Sequence, residues 1–201
     1  QGSQQVGMGK TVVDQFPVAK QTFEEADEAL GFSISKLCFE GPEEELQLTA
    51  NAQPAILTTS IAILRAMQSE RSFKPDFVAG HSLGEYTALV CSGALDFAAA
   101  VDLVRFRGQV MQQAVPLGQG AMAAVLGLDD EQVADACREA EQGEVVEPVN
   151  FNSPGQVVIA GNATAVMRAM EAARARGAKR AVTLPVSVPS HSRLMMGAAE
   201  R

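Results

Sequence analysis

Apolar positions recur at helical spacing from Val12 to Leu30, through Val13, Phe16, Phe23 and Ala26, and the pattern stops at Gly31. That spacing predicts one amphipathic helix closed by a C-terminal glycine. The acidic stretch 41–49, GPEEELQLT, reads as a surface turn or short helix. A second long helix is expected to start near Pro54, since proline suits the first helical position. Its face is Leu57, Ile61 and Leu64, beside Ile56, Ile63 and Met67. PDFVAG (75–80) is a short apolar strand, HSLG (81–84) a tight turn, and EYTALVCSGAL (85–95) a buried helix. Asp96 can cap a further helix over 97–115, which Pro116 and Gly118 end.

Strand, glycine turn and helix in that order are the grammar of an α/β domain with a parallel sheet. From Gly120 the pattern changes to short strands at 121–128, 144–150, 156–161 and 181–188, with helices at 130–140 and 163–178. The order βαββαβ is that of a ferredoxin-like unit. The expected architecture is therefore α/β. A parallel-sheet, hydrolase-like large domain (1–119 and 188–201) carries an inserted ferredoxin-like subdomain (120–187).

The chain has 201 residues, 47% of them hydrophobic and 20% charged, which suits a folded domain with a real core. No apolar run is long enough to span a membrane, and no signal segment opens the sequence. The net charge of −8 argues against a nucleic-acid partner. Cys38, Cys91 and Cys137 are far apart, with no CxxC, and read as thiols of a cytoplasmic protein. With only His81 and His191 in the chain, and no i, i+4 pairing of histidines, no metal site is suggested. The sequence opens on Gln1 inside a Gly-rich stretch and closes on HSRLMMGAAER without a helix stop. This reads as a chain truncated at both ends.

Gly80-His81-Ser82-Leu83-Gly84 carries the chemistry. G-x-S-x-G between a strand and a helix sets a serine on a sharp turn, its hydroxyl exposed for nucleophilic attack. The amide of Leu83 opens the following helix, has no intrahelical partner, and can face an oxyanion. A serine nucleophile needs a base. His81 adjoins Ser82, where neighbouring side chains diverge, so His191, just after a predicted strand, is the better candidate. Arg107 has Leu103, Val104, Val110 and Met111 as helical neighbours. A guanidinium in such a stripe needs an anion, either a protein carboxylate or the carboxylate of a ligand. Arg105 lies on a mixed face with Asp102 to hand.

At these residues the sequence resembles the malonyl-CoA:acyl-carrier-protein transacylases of fatty acid synthesis, and more loosely the acyltransferase domains of polyketide synthases. The blocks QGSQQVGMG, TANAQPAI, GHSLGEYTALV, RFRGQVMQQAVP, GAMAAVLGL, NFNSPGQVVIAG and GAKRAVTLPVSVPSHSRLM follow that family's order across the whole chain. The resemblance implies Ser82 as the acylated nucleophile, His191 as its base, and Arg107 as the partner of the malonyl carboxylate. It implies the amides of Leu83 and Gln1 as the oxyanion hole and Gln53 as a pocket-lining side chain. It also implies a strand before the QGSQ block and further chain after the histidine block, including the carbonyl that orients the histidine.

The implied reaction is malonyl transfer from malonyl-CoA to the phosphopantetheine thiol of acyl carrier protein through a malonyl-serine, with no cofactor. The expected setting is a cytoplasmic monomer. Arg168, Arg174, Arg176, Lys179 and Arg180 offer a basic docking patch for an acidic carrier, or merely the cation-rich end of a helix. A G-x-S-x-G serine esterase is the competing enzyme class, since several aspartates lie between Ser82 and His191.

Overall fold

The computed structural model describes residues 2–201. Gln1, one of the two residues expected to supply the oxyanion hole, lies outside the described residues. The chain folds as two units, the first running to Gln109 and the second from Val110 to Arg201.

The first unit is helical: α1 (Lys10–Gln15), α2 (Pro17–Leu30), α3 (Ile34–Glu40), α4 (Glu43–Gln47), α5 (Thr49–Glu70), α6 (Leu83–Cys91) and most of α7 (Phe97–Ala114). The single helix expected over 12–30 is two, because Pro17 disfavours helical backbone in the residue before it. Phe16 is accordingly extended, at φ −125° and ψ 112°. Phe23, Ala26, Ile34, Leu46, Leu57, Ile61, Val101 and Val104 form the centre of the core. Asp96 caps α7 as expected, its carboxylate accepting from the Ala99 amide at 3.0 Å.

Helix α5 starts at Thr49, five residues before the expected start, so Pro54 sits inside it. A proline there removes the N–H that would serve the carbonyl of Ala50 one turn earlier. An unserved buried carbonyl costs about 1–3 kcal/mol. Here the guanidinium of Arg105 serves it instead, Nη1 to Ala50 O at 2.8 Å. The two helices can come this close because residue 108 is glycine. A Cβ there would lie 2.5 Å from Ala50 Cα.

Three further expectations fail in this unit. The segment 75–80 joins no strand ladder, and Phe77 is 94% exposed. A strand exists through main-chain pairing, and no described segment pairs with it. Every strand pair among the described residues is antiparallel and lies in the second unit, so the described residues do not form the parallel sheet expected of the large domain. Helix α6 has the composition of a buried helix, yet only Leu83 is fully buried and Leu89 is 40% exposed. Among the described elements it packs chiefly on α5, which covers one side of it.

The second unit contains β1 (Gly120–Leu126), α8 (Asp130–Ala140), β2 (Val146–Ser153), β3 (Gln156–Asn162), α9 (Ala163–Ala175) and β4 (Arg180–Thr183). The strands form one antiparallel sheet in the order β2-β3-β1-β4. Helices α8 and α9 cover one face, where Val125, Val133, Val146, Val157, Ile159, Val166 and Met170 are buried. The βαββαβ order read from the sequence is the observed order. The last strand is shorter than expected, because Pro185 ends the run that hydrophobicity alone would extend to Val188. Asp129 and Gln132 close a capping box at the start of α8.

Candidate active site

Ser82 is the residue immediately before α6, with φ 52° and ψ −110°. Positive φ in a non-glycine residue costs of order 1–3 kcal/mol, and such strain gathers where a side chain must be presented. The turn is closed by the Gly84 amide to the His81 carbonyl at 2.9 Å and the Glu85 amide to the Ser82 carbonyl at 3.2 Å. The two glycines of the motif play different parts. A Cβ on Gly80 would lie 1.9 Å from the backbone of Gly84, whereas one on Gly84 would meet open space. Gly80 is therefore what allows the strained turn to close.

Leu83 is the first residue of α6, so its amide faces away from the helical ladder on the Ser82 side. Its side chain is buried and anchors the turn in the core. His81 is exposed at the turn.

Helices α5 and α7 bring Gln53 and Arg107 to this serine. Arg107 donates through Nη2 to Ser82 Oγ at 3.1 Å and through Nη1 to the Gln53 side-chain oxygen. Gln53 is fully buried and its amide nitrogen donates to Thr49 Oγ1, one turn back, at 3.0 Å. The Arg107 guanidinium also lies 5.7 Å from the centre of the Tyr86 ring. Burial draws its pKa below the ordinary value, and Tyr86 opposes that shift. Among the described residues Arg107 enters no ion pair. The protein carboxylate that would have explained it is not present there, and its protein partners are neutral. Ser82, Gln53 and Arg107 are thus brought together, with Leu83 next to Ser82 in the turn.

Tyr86 and Thr49 went unnoticed in the sequence. Each stands four residues from a recognised site residue, Ser82 and Gln53 respectively, so helical spacing held the signal. Arg105 does not take the Asp102 partner its spacing offered. It reaches across to Ala50 and to the Asn51 side-chain oxygen, and stacks 5.0 Å from the Phe32 ring.

His191 belongs to the second unit, on an exposed turn at φ 68°. The turn is held by the Ser192 hydroxyl on the Pro189 carbonyl at 2.7 Å. Glu147 of β2 adds a clamp, accepting from the Arg193 amide at 2.5 Å and pairing with Arg193 Nε at 3.0 Å.

Of the five cations proposed to dock a partner, three are engaged. Arg168 serves the carbonyls of Ala140 and Glu141 at the end of α8 and pairs with Glu144 at 2.8 Å. Arg176 pairs with Glu139 at 2.5 Å, and Arg174 donates to the Ala181 carbonyl. Lys179 and Arg180 are exposed and enter no ion pair among the described residues.

A serine on a strained turn ahead of a helix, an amide beside it and a half-buried cation at its hydroxyl are groups that nucleophilic acyl chemistry uses. The chain belongs to the acyl transferase domain family, whose model matches residues 1–201. It is 57% identical over 201 residues to a malonyl CoA-acyl carrier protein transacylase of Escherichia coli strain K12, covering all of this chain and 65% of that protein. It is 56% identical to one of Bacillus subtilis strain 168, covering 63% of that protein. Among solved structures, a malonyl-transacylase in complex with a type II PKS acyl-carrier protein superposes with a TM-score of 0.94 at 55% identity, over all of this chain and 65% of that one. The malonyl CoA-acyl carrier protein transacylase of Coxiella burnetii gives 0.95 at 49% identity, over all of this chain and 64% of that one. The chain thus spans slightly less than two thirds of the length of these relatives.

Proposed function

We propose that this chain carries the nucleophilic site of a malonyltransferase that moves a malonyl group from malonyl-CoA to the phosphopantetheine thiol of an acyl carrier protein. The observation that carries the reading is the Arg107–Ser82 contact. A cation whose partners among the described residues are neutral touches the hydroxyl to be acylated. An acyl chain ending in a carboxylate supplies the missing anion in a forked, charge-assisted pair. A simple serine esterase gains nothing from a cation there, so this contact favours the transferase over the esterase reading.

In the first half-reaction, Ser82 Oγ attacks the thioester carbonyl and gives its proton to His191. The tetrahedral oxyanion is met by the amides of Leu83 and Gln1. The C–S bond then breaks and coenzyme A leaves as the thiol with the proton from His191. The carrier's thiol next enters, loses its proton to His191 and attacks the malonyl-serine, which returns Ser82. Thioester-to-thioester exchange is nearly balanced, so catalysis rests on positioning and exclusion of water. Gln53 holds Arg107 in place for the carboxylate, and no cofactor takes part.

We assign 120–187 to a ferredoxin-like subdomain, and 1–119 with 188–201 to the acyltransferase domain. The strand order β2-β3-β1-β4 supports the subdomain reading. The carrier docks near Arg168, Arg174, Arg176, Lys179 and Arg180, with Lys179 and Arg180 the pair available for a partner. A cytoplasmic setting agrees with three separate free thiols, and no helix among the described residues is long and apolar enough to cross a membrane. The product feeds fatty acid elongation. A polyketide carrier is the second reading, favoured by the solved transacylase bound to a type II PKS carrier. Single-turnover transfer from malonyl-CoA to a fatty acid carrier and to a polyketide carrier, measured side by side, decides between them. Transfer to neither overturns the proposal.

A further inference from the structure

We infer that Arg105 is a positioning residue for the acyl-carboxylate pocket, acting through the α5 turn that presents Gln53. The inference rests on the proposed malonyl transfer. Pro54 leaves the Ala50 carbonyl without its helical donor, and Arg105 fills that gap from α7 at 2.8 Å. The same guanidinium donates to the side-chain oxygen of Asn51, whose amide nitrogen in turn donates to the Glu45 carbonyl in α4 at 2.7 Å. Its flat face lies against Phe32, 5.0 Å from the ring centre. One side chain therefore ties the opening turn of α5 to α7, to α4 and to the loop before α3. Gln53 stands at the end of this opening turn, and Arg107 is two residues beyond Arg105 on α7. The register between the turn and α7 sets how the Gln53 oxygen meets Arg107, and Gly108 lets that register close tightly. A guanidinium suits the position because Nη1 carries two N–H donors for the two acceptors while its flat face lies on Phe32.

Three variants test this: Arg105→Met, Pro54→Ala, and the two combined. Alanine at 54 restores the N–H that serves Ala50 from within the helix. Arg105→Met lowers the preference for malonyl-CoA over acetyl-CoA by about tenfold or more through malonyl KM, with little change in acetyl turnover. Pro54→Ala alone leaves the preference unchanged, and the combined variant recovers most of it. A residue that only stabilised the fold would lower Tm while leaving the acyl preference as it was. An Arg105→Met protein that is folded at the assay temperature and keeps the preference within twofold overturns the inference.

The side-chain amide resonance of Gln53 gives a readout independent of turnover. It shifts in Arg105→Met and returns in the combined variant, and an unmoved resonance is equally fatal to the inference. If the unmodified protein takes no acyl group on Ser82, the malonyl-transfer reading fails by itself, and the Gln53 resonance still judges Arg105.

Discussion

The guanidinium of Arg107 donates a hydrogen bond to the hydroxyl of Ser82 across 3.1 Å, and a second to the fully buried Gln53. The contact joins the proposed specificity group to the proposed nucleophile; of its two partners, Ser82 immediately precedes α6 and Gln53 lies in α5, both in the first unit. Replacing Arg107 with alanine removes the anchor for a free carboxylate while leaving Ser82 able to react. Discrimination for malonyl over acetyl is expected to drop by about 2–5 kcal/mol, thirtyfold or more. Parallel kcat/KM measurements with the two thioesters check it, and an unchanged ratio rules out the pairing.

The motif's glycines are expected to respond unequally. Gly80→Ala forces a Cβ into the backbone of Gly84, so the turn must open, Ser82 loses its presentation and activity falls by orders of magnitude. Gly84→Ala meets no atom and places alanine in a helix, where it is favoured. Comparing acylation rates and Tm of the two proteins tests the distinction. Equal damage from both contradicts this account of the turn.

This asymmetry shows where the sequence was informative and where it was not. G-x-S-x-G announced the turn, and the capped run from Asp96 announced the helix carrying Arg107, because local spacing encodes both. The βαββαβ order was equally legible, since each strand and helix there has its own period and its own turn residues. The use of Pro54 was not. A proline at the start of an apolar run reads as a first helical residue, and only a distant guanidinium makes its place inside α5 tolerable. Strand 75–80 failed for a related reason: an apolar run encodes burial, whereas pairing needs a partner that the run does not specify. Arg168 and Arg176 looked like a free basic patch because their carboxylates, Glu144 and Glu139, are far away in sequence.

The thiols follow from burial. Cys38 is pushed up to about 12 by desolvation, with help from Asp27, and Cys137 to about 12 by desolvation and its acidic neighbours Glu141 and Glu147. At pH 8 about one in ten thousand of either is a thiolate. Both should resist a disulfide reagent in the folded protein and react promptly once denatured. Rapid native labelling of either, located by peptide mass, contradicts their burial.

Glu144 accepts from the Thr164 hydroxyl and from Arg168, which hold its carboxyl below the ordinary 4.5. A depressed carboxyl stabilises the fold above its unfolded pKa, and that contribution disappears as pH falls through the folded pKa. Glu144→Gln is therefore expected to lower Tm modestly at pH 7 and to converge with the parent in strong acid. A difference that grows on acidification has the wrong sign for this account.

Docking is expected to separate from folding among the five cations. Reversing charge at Lys179 and Arg180 should raise KM for the carrier several-fold and leave KM for malonyl-CoA unchanged. Removing Arg168 or Arg176 should lower Tm instead, since each holds a carboxylate and the end of a helix. Equal effects on both substrates count against a docking role.

The central claim is that Ser82 becomes the malonyl carrier. Mixing the protein with malonyl-CoA, quenching in acid and reading intact mass and then peptides tests it most directly. The account predicts one added malonyl group on the peptide containing Ser82, absent from Ser82→Ala and discharged by a carrier thiol. A protein that stays unmodified, or that carries the group on another residue, contradicts it.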